Sequence, residues 1–158
     1  MASISTYRTS PTNYLVGIFL LVILWAILNL LPGYLLSDEV TLNNMTSDEW
    51  LGYFLAVSGI TVFLVYFLII AWFSYGVNPE VVQNLEKAKS RYSTLFMLSL
   101  VLGIIGSVVA ILLFMGEGNE VIFIFVYSLL IVLTASIGFW LITFLFSPIN
   151  VEYVPFGK

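Results

Sequence analysis

Apolar and polar positions alternate along this chain in long blocks, not in helical or strand periods. Four blocks, 14–36, 51–75, 93–115 and 121–146, consist mainly of Leu, Ile, Val, Phe and small residues, and none holds an Asp, Glu, Lys, Arg or His. Each is long enough for a helix of roughly 20 residues, which crosses a hydrocarbon core about 30 Å thick. A helix that is apolar on every side has no face to offer water, and in lipid its backbone must satisfy itself. The pattern therefore predicts an all-α integral membrane protein, with four transmembrane helices in an antiparallel bundle spanning 14–146.

The segments between the blocks carry the turn and capping chemistry. Residues 1–13 form a short Ser/Thr-rich arm, and 147–158 a tail whose prolines, Pro148 and Pro155, disfavour helix. Within the first block, Pro32-Gly33 is expected to bend or end the helix, because proline removes an amide donor and glycine loosens the chain. Asn44-Met45-Thr46 is an N-glycosylation sequon in the first outer loop. Asn78-Pro79-Glu80 reads as an N-cap, a first-turn proline and a first-turn acid. It opens an amphipathic helix, with Val81, Val82, Leu85 and Ala88 opposite the charges, that leads into the third span. Gly116–Glu120 is a tight outer turn. Tyr14, Trp50, Trp72, Tyr75 and Tyr92 stand at block ends, where amphipathic rings favour the lipid–water boundary.

Charge orients the four helices. Arg8, Lys87, Lys89, Arg91 and Lys158, all the basic residues of the chain, fall on one side with three acidic ones; the other side has six acidic residues and no basic one. Short loops rich in Lys and Arg stay in the cytoplasm, which predicts both termini inside and a multi-pass protein of the plasma (inner) membrane. The first block is too long for a cleaved secretory signal and lacks a small-x-small site after it, so it is read as a retained helix. Lys87, Lys89 and Arg91 are a candidate surface for a partner or for anionic lipid headgroups.

Inside lipid, helices associate through close packing of small residues and a few hydrogen bonds. The candidate packing positions are Gly52, Ala56 and Gly59 in the second span, Ser99, Gly103, Gly106, Ser107 and Ala110 in the third, and Ser128, Ala135 and Gly138 in the fourth. Ser and Thr can bond back to their own helix carbonyls, so the amide of Asn29 is the intramembrane polar group most in need of a partner across helices.

Candidate chemistry is sparse. With no cysteine and no histidine, the usual ligands of haem, copper, zinc and iron–sulfur clusters are missing. Thiol redox and disulfides are missing with them. The membrane carboxylate of small four-helix exporters and the Cys pairs of quinone-linked disulfide oxidases have no counterpart either. No catalytic, cofactor or metal residue is assigned, and structural lipids are the expected small-molecule companions. The expectation is a non-catalytic accessory subunit of a multi-subunit membrane complex, respiratory or monooxygenase-like. Its partners would be other integral membrane subunits and lipids, not nucleic acid. The alternative is a small homo-oligomeric channel or carrier for uncharged or lipidic solutes.

Overall fold

The computed structural model describes residues 11–36, 45–76, 84–114 and 121–146. Residues 1–10 of the arm, the sequon asparagine Asn44, the Asn78-Pro79-Glu80 cap, the outer turn and the tail lie outside these residues, while the last three residues of the expected arm, from Pro11 to Asn13, already belong to the first helix. Those described are almost wholly helical: α1 (Pro11–Trp25), a π turn (Ala26–Leu30), α2 (Leu31–Leu36), α3 (Ser47–Ala71) with a second π turn (Trp72–Gly76), α4 (Leu85–Phe114) and α5 (Val121–Phe146). Four continuous helices, Thr12–Leu35, Asp48–Ser74, Glu86–Phe114 and Val121–Phe146, are long and apolar enough to cross a membrane.

Helix starts follow local capping. Glu49 reaches back to accept the Thr46 amide at 3.0 Å, so α3 begins at Ser47, ahead of its apolar block. Asn84 accepts the Lys87 amide through its side chain at 3.1 Å and the Ala88 amide through its carbonyl at 2.9 Å. From there α4 runs unbroken to Phe114, carrying Lys87, Lys89 and Arg91 exposed on its first turns while Ala88 between the lysines and Tyr92 after the arginine are buried.

The expected break at Pro32-Gly33 takes another form. The helix continues through both residues to Leu36, and the irregularity sits upstream, in a π turn closed by the Leu31 amide donating to the Ala26 carbonyl. A proline has no amide to give upstream, and widening the preceding turn lets the chain go on without ending.

The π turn also keeps one row of side chains inward. In the first helix the buried positions are Gly17, Leu21, Asn29 and Gly33, with Trp25 half-buried between them, every fourth residue. Four residues of α-helix advance about 40° beyond a full turn, so four such steps would carry the row about 160° round, into the lipid. One residue inserted by the π turn sets it back by about 100°.

α5 is the hub, in contact with α1, α3 and α4. Two apolar clusters close the bundle at its ends. One gathers Trp72, Phe73, Tyr92, Phe139 and Ile142 with Tyr14 against them; the other gathers Trp50, Phe54, Phe114, Ile124 and Tyr127. Trp50, Trp72 and Tyr92 are thus enclosed between helices instead of facing a lipid boundary. Trp72 meets Tyr92 edge-on at 5.0 Å and Trp50 meets Phe123 at 5.2 Å, a geometry that favours aromatic pairs beyond the area they bury. Phe63, Phe67 and Phe125 remain exposed.

Candidate functional site

Between the aromatic ends, the interior is built of small and neutral polar residues. Gly103 lets α4 and α5 meet backbone to backbone: a Cβ there would stand 3.0 Å from both Val132 Cα and Ala135 Cβ. Gly106 abuts the Thr61 hydroxyl of α3 and comes within 3.2 Å of Ile131 of α5, measured from the same ideal Cβ position. Ser99 and Ala110, on the same stripe, are fully buried, and Ser107 is half-buried. Ala135 is enclosed, and Gly138 faces Leu21 and Leu24 of the first helix.

The stripe on α3 behaves differently. Gly52 and Ala56 are exposed, and no described atom lies within 4 Å of a Cβ built on Gly52, while Gly59 meets only the Trp25 ring, at 4.0 Å. The first two positions of this stripe are therefore turned away from the interior formed by the described helices. The apolar blocks do not reveal which side of α3 turns inward, and Trp50, Phe54, Ser58, Val65 and Ile69 form the side that does.

Hydrogen bonds between side chains join the helices in pairs. Trp25 Nε1 donates to Ser58 Oγ at 2.8 Å, whose own proton goes to the Leu55 carbonyl at 3.2 Å. Asn29 Nδ2 donates to Thr134 Oγ1 at 2.8 Å and to the Trp25 carbonyl at 3.4 Å. Tyr92 and Thr143 share a bond of 3.1 Å; since Thr143 donates to the Phe139 carbonyl at 2.7 Å, Tyr92 is the donor of the pair. Tyr66 donates to the Tyr14 carbonyl at 3.2 Å. Thr61 and Ser99 turn back to their own helices, to the Val57 carbonyl at 2.9 Å and the Phe96 carbonyl at 2.7 Å.

Three buried polar atoms have no hydrogen-bond partner among the described residues: Asn29 Oδ1, Tyr127 OH and Ser128 Oγ. Two of them belong to the contact between the first helix and α5, since Tyr127 OH lies 3.2 Å from the Cβ position of Gly33 and Asn29 reaches Thr134. The region around Asn29, with the π turn, Gly33 and Tyr127, is the candidate site. π turns inside α-helices are often found where function resides.

The chemistry of this region is neutral. Its side chains are amides, hydroxyls, an indole and apolar groups, which orient and bind but do not ionise near neutral pH, apart from a phenol that titrates near pH 10 in water. Among the described residues no three His, Cys, Asp or Glu side chains gather into a group that could hold a metal ion.

Reading the sequence for small residues and for Asn29 passes over Trp25 and Tyr127, and takes Gly33 only as part of a helix break. Their signal is the four-residue spacing Leu21, Trp25, Asn29, Gly33, legible only if the helix departs from 3.6 residues per turn. No protein-family model, curated protein or solved structure matches the chain.

Proposed function

We propose that this protein is a non-catalytic accessory subunit that supports the catalytic subunits of a larger membrane assembly, respiratory or monooxygenase-like. One observation carries the reading: where interior polar side chains bond to one another they join helices, while hydroxyls such as those of Thr61 and Ser99 turn back to their own helix. Trp25–Ser58, Asn29–Thr134 and Tyr92–Thr143 each link two helices, and the four apolar blocks hold no ionisable acid or base apart from tyrosine. Large apolar side chains exposed along every helix, among them Leu15, Phe63, Leu112 and Ile122, offer surface to lipid and to neighbouring subunits alike.

In this reading the bundle is antiparallel, with both termini and the Lys87–Arg91 segment in the cytoplasm and the protein in the plasma membrane. Tyr14, Trp72, Tyr92 and Phe146 share one end cluster, as an up-down course of the chain requires, and the basic residues sort to one side. The partners are other integral membrane subunits, joined by structural lipids.

The test is native electrophoresis of mildly solubilised membranes from cells expressing the protein at its natural level. The expected result is one complex holding this chain in fixed ratio to different membrane subunits, with activity or assembly lost on its deletion. Migration as a monomer or a pure homo-oligomer in the same membranes overturns the reading. Solute flux through liposomes holding the chain alone would then favour a small channel or carrier for uncharged or lipidic molecules.

A further inference from the structure

The hydrogen-bonding atoms of Asn29 are all accounted for except one. Nδ2 has two protons, and they go to the Trp25 carbonyl at 3.4 Å and to Thr134 Oγ1 at 2.8 Å. Thr134 accepts there, because its own proton goes to the Leu130 carbonyl at 2.7 Å. Exchanging the amide's N and O would set Oδ1 against the Trp25 carbonyl oxygen, so the network fixes the amide's orientation. Oδ1 is left with no partner among the described residues, and Asn29 is 0% exposed. Nδ2 is turned back toward Trp25, one turn upstream of Asn29.

Across the same contact stands a second orphan. Tyr127 is 1% exposed, and its hydroxyl, also without a partner among the described residues, lies 3.2 Å from the Cβ position of Gly33. Asn29 and Gly33 are successive inward positions of one helix, about 6 Å apart along its axis. A single oxygen holding two hydrogen bonds of about 2.8 Å bridges atoms up to about 5.5 Å apart. Leaving both atoms unpaired in an apolar interior is unfavourable, since each has lost its hydrogen bonds to water without replacing them.

We propose that Asn29 Oδ1 and Tyr127 OH form a buried binding site for one hydroxyl group, which donates its proton to Asn29 and accepts the proton of Tyr127. The pair selects the chemistry. Asn29 Oδ1 can only accept, so a ketone or ether, which can only accept too, leaves it unpaired. A cation or anion would find no opposite charge among the described residues of the four apolar blocks to hold it. A hydroxyl is the smallest neutral group that supplies both a donor and an acceptor. Gly33 keeps the approach clear: a Cβ there would stand 2.5 Å from Leu51 Cδ1 as well as close to Tyr127 OH. The hydroxyl comes either from water or from a lipid-soluble alcohol entering between the helices, and the same oxygen position serves both.

The test uses the full chain in detergent micelles, in two measurements. A structure at a resolution that resolves ordered waters is expected to show one oxygen within hydrogen-bond distance of both Asn29 Oδ1 and Tyr127 OH. Thermal unfolding with 1-decanol or decane as probes identifies its source. If an alcohol is the ligand, decanol raises Tm by about 3 °C or more, decane does not, and Tyr127→Phe abolishes the response. If water is the ligand, the oxygen is present and the two probes act alike. The absence of any oxygen bridging the two atoms, together with equal responses to decanol and decane, overturns the proposal.

Discussion

Gly103→Ala adds a single methyl group where α4 lies against the backbone of α5, and its cost follows from the geometry. That methyl would stand 3.0 Å from Val132 Cα, 3.0 Å from Ala135 Cβ and 3.4 Å from the Val132 carbonyl oxygen. Carbon atoms in favourable contact sit about 3.5–4.0 Å apart, so the helices must give by a few tenths of an ångström. Val132 presents backbone, which cannot rotate aside. Overpacking on this scale costs about 1–3 kcal/mol. Against it stands the gain of about 0.5–1 kcal/mol when alanine replaces glycine inside a helix. Gly52→Ala has that gain without the clash, because no described atom lies within 4 Å of its Cβ position. The two variants should therefore differ by about 1–3 kcal/mol, with Gly103→Ala the less stable. Reversible unfolding in mixed dodecylmaltoside and dodecylsulfate micelles, followed by helical circular dichroism, measures the difference. Equal stability of the two would refute the claim that α4 and α5 pack at glycine distance.

The remaining predictions address the joints and the topology. Gly106→Leu forces a bulky side chain against the Thr61 hydroxyl and Ile131, and its folded fraction on native gels should fall well below that of Gly52→Leu; equal fractions would place this face in open space. Asn29→Leu and Thr134→Val, singly and together, should show a coupling of about 0.5–2 kcal/mol in the same unfolding assay, and strict additivity would mean that the 2.8 Å bond between them contributes nothing. Because the chain has no cysteine, single cysteines at Asn44 and at Gln83 report sidedness directly. A membrane-impermeant maleimide applied outside intact cells should label the first and not the second, and the reverse pattern would invert the proposed orientation.

The four spanning helices are legible in the sequence because hydrocarbon imposes a length and forbids charge, and both constraints act on composition alone. Helix starts are less so. Ser47 and Leu85 begin their helices ahead of the apolar blocks, through capping by Thr46 with Glu49 and by Asn84, which are local bonds that hydropathy does not register. Small-residue stripes can be read as patterns but not as contacts. Gly103 and Gly52 look alike in sequence, yet one meets Val132 backbone and the other no described atom. In water the buried face of a helix announces itself by being apolar; in lipid every face is apolar, and the signal that separates inside from outside is lost.

The candidate site eludes sequence reading for a related reason. Asn29 stands out as a lone amide in an apolar block, but its contact with Thr134, and that of Gly33 with Tyr127 one turn on, are set by the angular course of the first helix. At 3.6 residues per turn, Leu21 and Gly33 drift about 120° apart over three steps of four residues, and no single face holds both. The π turn at Ala26–Leu30 removes most of that drift and sets Trp25, Asn29 and Gly33 toward α3 and α5. Pro32 supplies a cause, since a residue without an amide disrupts the α ladder just downstream of that turn. A proline that on sequence grounds marks the end of a helix thus lies beside the irregularity that turns the helix's polar residues inward. The irregular turn holds Asn29 with its unpaired oxygen, and the unpaired Tyr127 hydroxyl faces Gly33 one turn further along. That coincidence makes this segment, more than any charged loop, the place to look for a bound molecule.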